Sequence, residues 1–157
     1  MTAPDRANVT RHGTSIAAMS IKLSHTFVFV LDQDEALRFY IETLGLEKRS
    51  DADMGHMRWL TIGSPEQPGV EIGLLAVGPP SPPADWDTLR ELVAKGSLNT
   101  LIFETDDCAA TFERLSAAGA EVLQEPMRQQ YGVIDCAFRD PSGNHIRFSE
   151  RLAAAAS

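Results

Sequence analysis

Two stretches of the chain share the same order of apolar and polar positions. Each stretch, over residues 25–45 and 99–119, begins with a run of residues that favour β-structure. An acidic break follows, then apolar residues at helical spacing, and finally a glycine of the kind that ends helices. A constant offset superimposes four matching pairs: Thr26 and Thr100, Phe29 and Phe103, Asp32 and Asp106, Gly45 and Gly119. The pattern predicts a duplicated unit whose copies pack together and leave a cleft where they join.

The first unit is predicted to contain one helix and four strands in the order β-α-β-β-β. A continuous apolar run predicts a strand over 21–31, and Asp32 follows it as the expected helix cap. Gly45 is expected to end the helix. Turn residues separate the remaining strands, which are predicted over 46–53, 57–62 and 70–77.

The second unit is predicted to repeat this order after a proline-rich linker. Asp106 or Asp107 is expected to cap its helix, and its strands are predicted over 98–105, 121–124, 132–139 and 145–150. The predicted organisation is a disordered leader over 1–20, a first module over 21–77, a stiff linker with a short helix over 78–97, a second module over 98–151 and a tail over 152–157. Met19 is an alternative start.

Composition and charge exclude several classes of partner. The 157 residues suffice for one domain, or for two small modules that share a core. A net charge of −8 without any basic run argues against nucleic acid and anionic membranes. No apolar run approaches the roughly 18 residues that a membrane span needs. The two cysteines, Cys108 and Cys136, resemble neither a disulfide framework nor a metal motif, so a reducing cytoplasmic location is expected.

Two short motifs accompany the repeated β-α-β-β-β order. Residues 39–45 read Phe-Tyr-x-x-x-Leu-Gly, and residues 140–144 read Asp-Pro-Ser-Gly-Asn before the last strand. Over residues 21–151 the chain resembles the vicinal oxygen chelate superfamily, which includes glyoxalase I, bleomycin-resistance proteins, fosfomycin-resistance transferases and extradiol dioxygenases. The resemblance implies an α+β fold of two tandem βαβββ modules, whose curled mixed sheets form half-barrels around a central cup.

The resemblance also implies four positions for ligands of a divalent metal. On this sequence they fall on His25, Gly73, Thr100 and Arg147. His25 is a suitable ligand, whereas the Arg147 cation would repel a nearby metal ion. Glu71 shares a face with Gly73, because side chains two residues apart on a strand point the same way. The usual metal site is therefore expected to be degenerate.

A salvaged metal site is an alternative. His145 shares a face with Arg147, so His25, Glu71 and His145 form a possible set for zinc, nickel, manganese or iron. The resemblance then implies a metal-dependent lyase, isomerase or dioxygenase. The favoured expectation is a protein that binds a small organic ligand in the cup without a cofactor. A third possibility is a structural or regulatory dimer with a vestigial cup.

Strand alternation predicts the side chains that line the cup. The candidate ligand-binding residues are His25, Phe27, Phe29, Trp59, Glu71, Thr100, Ile102, Glu104, Tyr131 and Arg147. Arg147 is expected either to pair with Glu104 on the neighbouring strand or to present its guanidinium to an anionic or carbonyl-bearing ligand. For Trp59 and Tyr131, ligand contact and ordinary packing both remain open.

A homodimer is expected, because the resembled proteins commonly dimerise and half-barrels leave exposed sheet edges. The proline-rich linker from Pro79 to Pro83 is long enough for two arrangements of the cup. Both modules of one chain could close it, or the modules could be exchanged between two subunits. The sequence leaves this choice open.

Overall fold

The computed structural model describes residues 19–154 and contains two βαβββ modules. The elements are β1 (His25–Val30), α1 (Gln33–Arg38) continued by a π-helical turn (Phe39–Thr43), β2 (Glu47–Asp53), β3 (Arg58–Gly63), β4 (Glu71–Ala76), a 3₁₀ turn (Pro83–Asp85), α2 (Trp86–Ala94), β5 (Thr100–Glu104), α3 (Cys108–Ala117), β6 (Glu121–Arg128), β7 (Val133–Arg139) and β8 (His145–Arg151). Most of the predicted leader and the last three residues of the predicted tail lie outside the described residues.

Each module contributes one open, four-stranded mixed sheet. The strand orders are β1-β4-β3-β2 and β5-β8-β7-β6. In each sheet the first strand runs parallel to the last one, and the other neighbours are antiparallel. These features confirm the predicted α+β fold of two tandem modules. No helix of the described part is long and apolar enough to cross a membrane.

Local sequence signals set the ends of both module helices. The Asp32 side chain accepts a hydrogen bond from the Glu35 backbone N–H at 2.8 Å and caps α1. Of the two caps proposed for α3, Asp107 is the one used, at 2.9 Å from the Ala110 N–H. A glycine with positive φ follows each helical segment: Gly45 (83°) and Gly119 (87°).

Two strand predictions had the wrong length. β1 begins at His25 rather than at residue 21, and Ile21 and Leu23 are 84% and 65% exposed. β6 continues to Arg128 instead of ending at residue 124, and it runs through Pro126. An edge strand tolerates proline because the missing N–H points away from the sheet. Most β6 residues are exposed, so no apolar alternation marked the strand.

One apolar core joins the two modules. It combines the sheet residues on one face of each module with the apolar faces of α1 and α3. Val28 and Val30 lie in this core because they alternate along β1 with the cup-facing residues, and Leu101 and Phe103 pack against it beside Phe112. The opposite face of each sheet is its cup face.

The turn over residues 140–144 fastens the second module to the first. Asp140 is 4% exposed, and its Oδ2 accepts a hydrogen bond from the Tyr40 hydroxyl at 2.8 Å. The Asn144 side chain donates to the Phe29 carbonyl at 2.7 Å, and the Ser142 hydroxyl accepts from a backbone N–H of the segment after β1 at 2.8 Å. The bonds of Asn144 and Ser142 satisfy backbone groups along the edge of β1 that does not pair with β4.

The two cysteines are buried in the shared core, and both are free thiols. Burial raises the pKa of Cys136 to about 12 and also raises the pKa of Cys108, so neither thiol forms the reactive thiolate near neutral pH. We expect neither to react with an aromatic disulfide reagent at pH 8 in the folded protein, and both to react after unfolding in guanidinium. One rapidly reacting thiol in the folded protein would contradict this burial.

Candidate ligand-binding site

The register of β1 and β4 builds the cup face of the first module. His25 lies opposite Glu71, and Phe27 lies opposite Gly73. Thr61 of β3 lies opposite Gly73 on the other side of β4. Because alternate residues of a strand share a face, these side chains lie together on the face opposite the core.

His25 and Glu71 form a close pair at the beginning of their strands. The His25 Nε2 atom lies 2.7 Å from one Glu71 carboxylate oxygen. The Thr61 hydroxyl donates to the other oxygen at 3.0 Å, and the Ser24 hydroxyl lies 3.0 Å from His25 Nδ1. Both polar ends of the pair are therefore engaged within the first module.

Aromatic rings cover the rest of this cup face. Phe27 and Trp59 meet edge to face with ring centroids 5.6 Å apart, and His25 lies 5.9 Å from Trp59. The Phe27 ring lies across β4 above Gly73, where an added Cβ would clash with it. Phe27 is nevertheless 42% exposed, so its ring presents an open aromatic surface. We call His25, Phe27 and Trp59 the aromatic face.

The first-module cup extends under the linker. Phe29, which shares a face with Phe27, lines a pocket of about 210 Å³ together with Leu75 of β4. Pro79 and Pro80 of the linker form part of the same wall. The pocket adds apolar depth at the end of the cup that lies away from His25.

The donor set does not fit a divalent metal ion. Gly73 lies at the second of the four metal-ligand positions that the resemblance implies, and the Phe27 ring occupies the space that a side chain would need there. The third and fourth positions hold Thr100 and Arg147. Only His25 and Glu71 come together, and the described residues contain no group of three or more His, Cys, Asp or Glu side chains placed to hold a metal.

His145 lies in the second module, and within residues 19–154 no hydrogen bond or ion pair joins it to His25 or Glu71. It pairs in register with Thr100, and its Nε2 atom is buried without a hydrogen-bond partner in the described part of the chain. Burial, followed by the positive charges of Arg147 and Arg139, lowers the pKa of His145. The structure of one chain therefore does not assemble the proposed His25, Glu71 and His145 set.

Arg147 pairs with Asp135, and the predicted pairing with Glu104 is wrong. The Arg147 Nη1 atom lies 2.8 Å from Asp135 Oδ2, whereas Glu104 lies 3.0 Å from Arg151. Asp135 and Arg147 share the cup face because Arg147 lies opposite Ala137, two residues along β7 from Asp135. Glu104 and Arg151 are both exposed, so their contact lies at the rim.

Asp135 is the centre of a polar network that sequence analysis missed. It is 1% exposed, and its Oδ1 accepts hydrogen bonds from Gln124 and Gln129, each at 2.9 Å. The Tyr131 hydroxyl lies 3.5 Å from its Oδ2. Burial alone would raise the pKa of Asp135, but the hydrogen bonds from Gln129 and Gln124 and the Arg147 charge outweigh it and lower the pKa. The sequence signal that could have revealed this network is an acidic residue within β7, a mostly buried strand where a carboxylate needs partners.

Both cup faces are open to solvent in the single chain. Ile102 of the second module is 67% exposed and Tyr131 is 73% exposed, so Tyr131 does not close over a cup. Thr100 and Glu104 are also exposed on β5. The recorded hydrogen bonds between the modules lie at the end of β1 and along the helices, and within residues 19–154 none joins the two cup faces.

A family model for the glyoxalase/bleomycin resistance protein/dioxygenase superfamily matches residues 22–148, and the same open modules occur in solved structures of that family. The chain belongs to this superfamily. The resemblance inferred from the repeated modules is thereby confirmed. Members of the superfamily bind small ligands, often dimerise and often bind divalent metals.

Individual proteins are similar to this chain over nearly their whole length. UcmS2 has a crystal structure that is 40% identical, with a TM-score of 0.78, and the match covers 84% of this chain and 99% of UcmS2. TnmS3, an antibiotic binding protein from Streptomyces sp. CB03234, is 30% identical with a TM-score of 0.68, over 85% of this chain and 98% of TnmS3. The uncharacterized protein YurT of Bacillus subtilis is 34% identical, over 83% of this chain and 100% of YurT.

Proposed function

We propose that this protein binds a planar aromatic small molecule in its cup, without a metal ion and without converting the molecule chemically. The exposed aromatic face of the first module carries this proposal. Phe27 and Trp59 present ring surface to the cup, and Gly73 leaves the strand beneath Phe27 without a side chain. Aromatic side chains of this kind bind flat apolar ligands by stacking and by burial of ring area.

The polar groups of the cup support binding without a metal. His25 and Glu71 engage each other at 2.7 Å, and Arg147 occupies a position where the superfamily's metal-dependent members carry a carboxylate. A guanidinium there disfavours a divalent cation by charge repulsion. The similarity to TnmS3, which is described as an antibiotic binding protein, further supports ligand binding rather than catalysis.

The complete site is proposed to form between two copies of the chain. In one chain both cup faces remain open, and the exposed Phe27 and Ile102 leave apolar surface in each. The first-module cup of one copy would face the second-module cup of the other, so that the aromatic face and the Asp135–Arg147 network enclose one ligand. Members of the superfamily often dimerise, which agrees with this arrangement.

Calorimetric titration with fused-ring aromatic acids tests the proposal. The probes are 2-naphthoate, anthracene-2-carboxylate and pyrene-1-carboxylate. We expect at least one to bind, and Trp59→Ala to weaken its binding about tenfold or more through lost stacking and ring burial. Trp59→Phe is the matched control, because it keeps an aromatic ring at the same position of the cup face. It should retain most of the wild-type affinity.

Two results would contradict this function. One is the absence of binding for every probe. The other is a divalent metal bound at one ion per chain, in protein purified without chelators or reconstituted with the metal, and lost in His25→Ala. That result would favour a metal-dependent lyase, isomerase or dioxygenase.

A further inference from the structure

Arg147 lies on the cup face of β8, and its closest contacts within residues 19–154 are made by one guanidinium nitrogen, Nη1. Its Nη1 atom lies 2.8 Å from Asp135 Oδ2 and donates a hydrogen bond to Gln124 Oε1 at 3.2 Å. Asp135 is itself fixed by hydrogen bonds from Gln124 and Gln129. The guanidinium is therefore held in position before any ligand arrives.

The other edge of the Arg147 guanidinium is available. Within residues 19–154, the hydrogen bond and the close ion-pair contact of Arg147 both use Nη1, and no hydrogen bond uses Nε or Nη2. Nε and Nη2 lie on the same edge and carry parallel N–H groups, which match the two oxygens of a carboxylate. The Arg147 side chain is 22% exposed, so this edge is within reach of the cup.

The residues opposite Arg147 on the two neighbouring strands are small or exposed. Ala137 lies opposite Arg147 on β7 and carries only a methyl group as its side chain. Ile102 lies opposite Arg147 on β5 and is 67% exposed. Arg139 of β7, which alternation places on the same face, donates to the Gly143 carbonyl at 3.0 Å and lies 3.7 Å from Glu121.

We propose that the second-module cup selects aromatic ligands that carry a carboxylate, which Arg147 binds through Nε and Nη2 while the ring lies against Ile102. The inference rests on the proposed function, because the opposite face of the ring would stack on the aromatic face of a second copy. The ligand class is thereby narrowed from planar aromatic molecules to planar aromatic acids.

Paired titrations with 2-naphthoate and 2-naphthamide test this selectivity, because the two probes share their rings and differ in charge and in the second oxygen. We expect the wild type to prefer the carboxylate about tenfold or more. Arg147→Gln should abolish the preference, because it should weaken 2-naphthoate binding about tenfold more than 2-naphthamide binding. Arg147→Lys keeps the charge without the two-pronged edge and should lose most of the preference.

A second variant keeps the test decisive if Arg147→Gln folds poorly. The double variant Asp135→Asn/Arg147→Gln removes both charges, so no unpaired carboxylate remains buried, and it should show the same loss of preference. Equal wild-type binding of both probes would overturn the carboxylate site while leaving the proposed function intact. Binding of neither probe, nor of the larger acids, would overturn both. An unchanged preference together with a weakened dimer would show that Arg147 pairs with the second copy instead.

Discussion

Replacing Asp140 with alanine is expected to destabilise the protein by about 3 kcal/mol or more, because it leaves several buried donors without an acceptor. One carboxylate oxygen of Asp140 accepts the backbone N–H groups of Ser142, Gly143 and Asn144, each at 2.9 Å. The other accepts the Tyr40 hydroxyl at 2.8 Å and the Asn144 side chain at 2.9 Å. The side chain thus organises the turn and joins it to the first module.

Tyr40→Phe is the matched control for this effect. It removes only the hydrogen bond from the Tyr40 hydroxyl to Asp140 and leaves the turn intact. The free energy of unfolding should fall by about 1 kcal/mol. Urea unfolding followed by circular dichroism measures both variants. If Asp140→Ala unfolds at the wild-type urea concentration, the turn does not hold the modules together.

The fold was predictable where short stretches of sequence carry their own physical cause. Asp32 and Gly45 mark the ends of a helix by capping and by positive φ, and both act within a few residues. Val28 and Val30 reach the core because alternation on a strand is a local property. β6 was only partly predicted, since an exposed edge strand has no buried face to impose alternation.

The sequence predicted the site only where alternation along a strand decides which face of the sheet a side chain occupies. His25, Phe27 and Glu71 were assigned to one cup face, and the register of β1 and β4 brings them together there. The partner of Arg147 was not predictable in the same way. The ion-pair partner Asp135 lies on β7 and is fixed in part by Gln124 of β6. The pairing of β6 with β7 shifts register on either side of Gln124, and such shifts leave no clear mark in a single sequence.

Mixing two binding-deficient variants should restore binding if the ligand site is shared between copies. Trp59→Ala removes ring surface from the first-module cup. Ile102→Glu places a carboxylate in the second-module cup, and because position 102 is 67% exposed, the charged side chain should not prevent folding. In a mixed dimer, each site joins the first-module cup of one chain to the second-module cup of the other chain. One of the two sites then combines both damaged cups. The other combines the intact first module of the Ile102→Glu chain with the intact second module of the Trp59→Ala chain.

The most direct measurement is a titration of 2-naphthoate into each variant alone and into a mixture refolded from the unfolded chains. Mass spectrometry of differently tagged chains confirms that mixed dimers form. Each variant alone should bind about tenfold more weakly than the wild type or worse, and the mixture should regain wild-type affinity at about a quarter of its sites. If mixed dimers form and no site of wild-type affinity returns, the ligand does not bind between the cups of two copies.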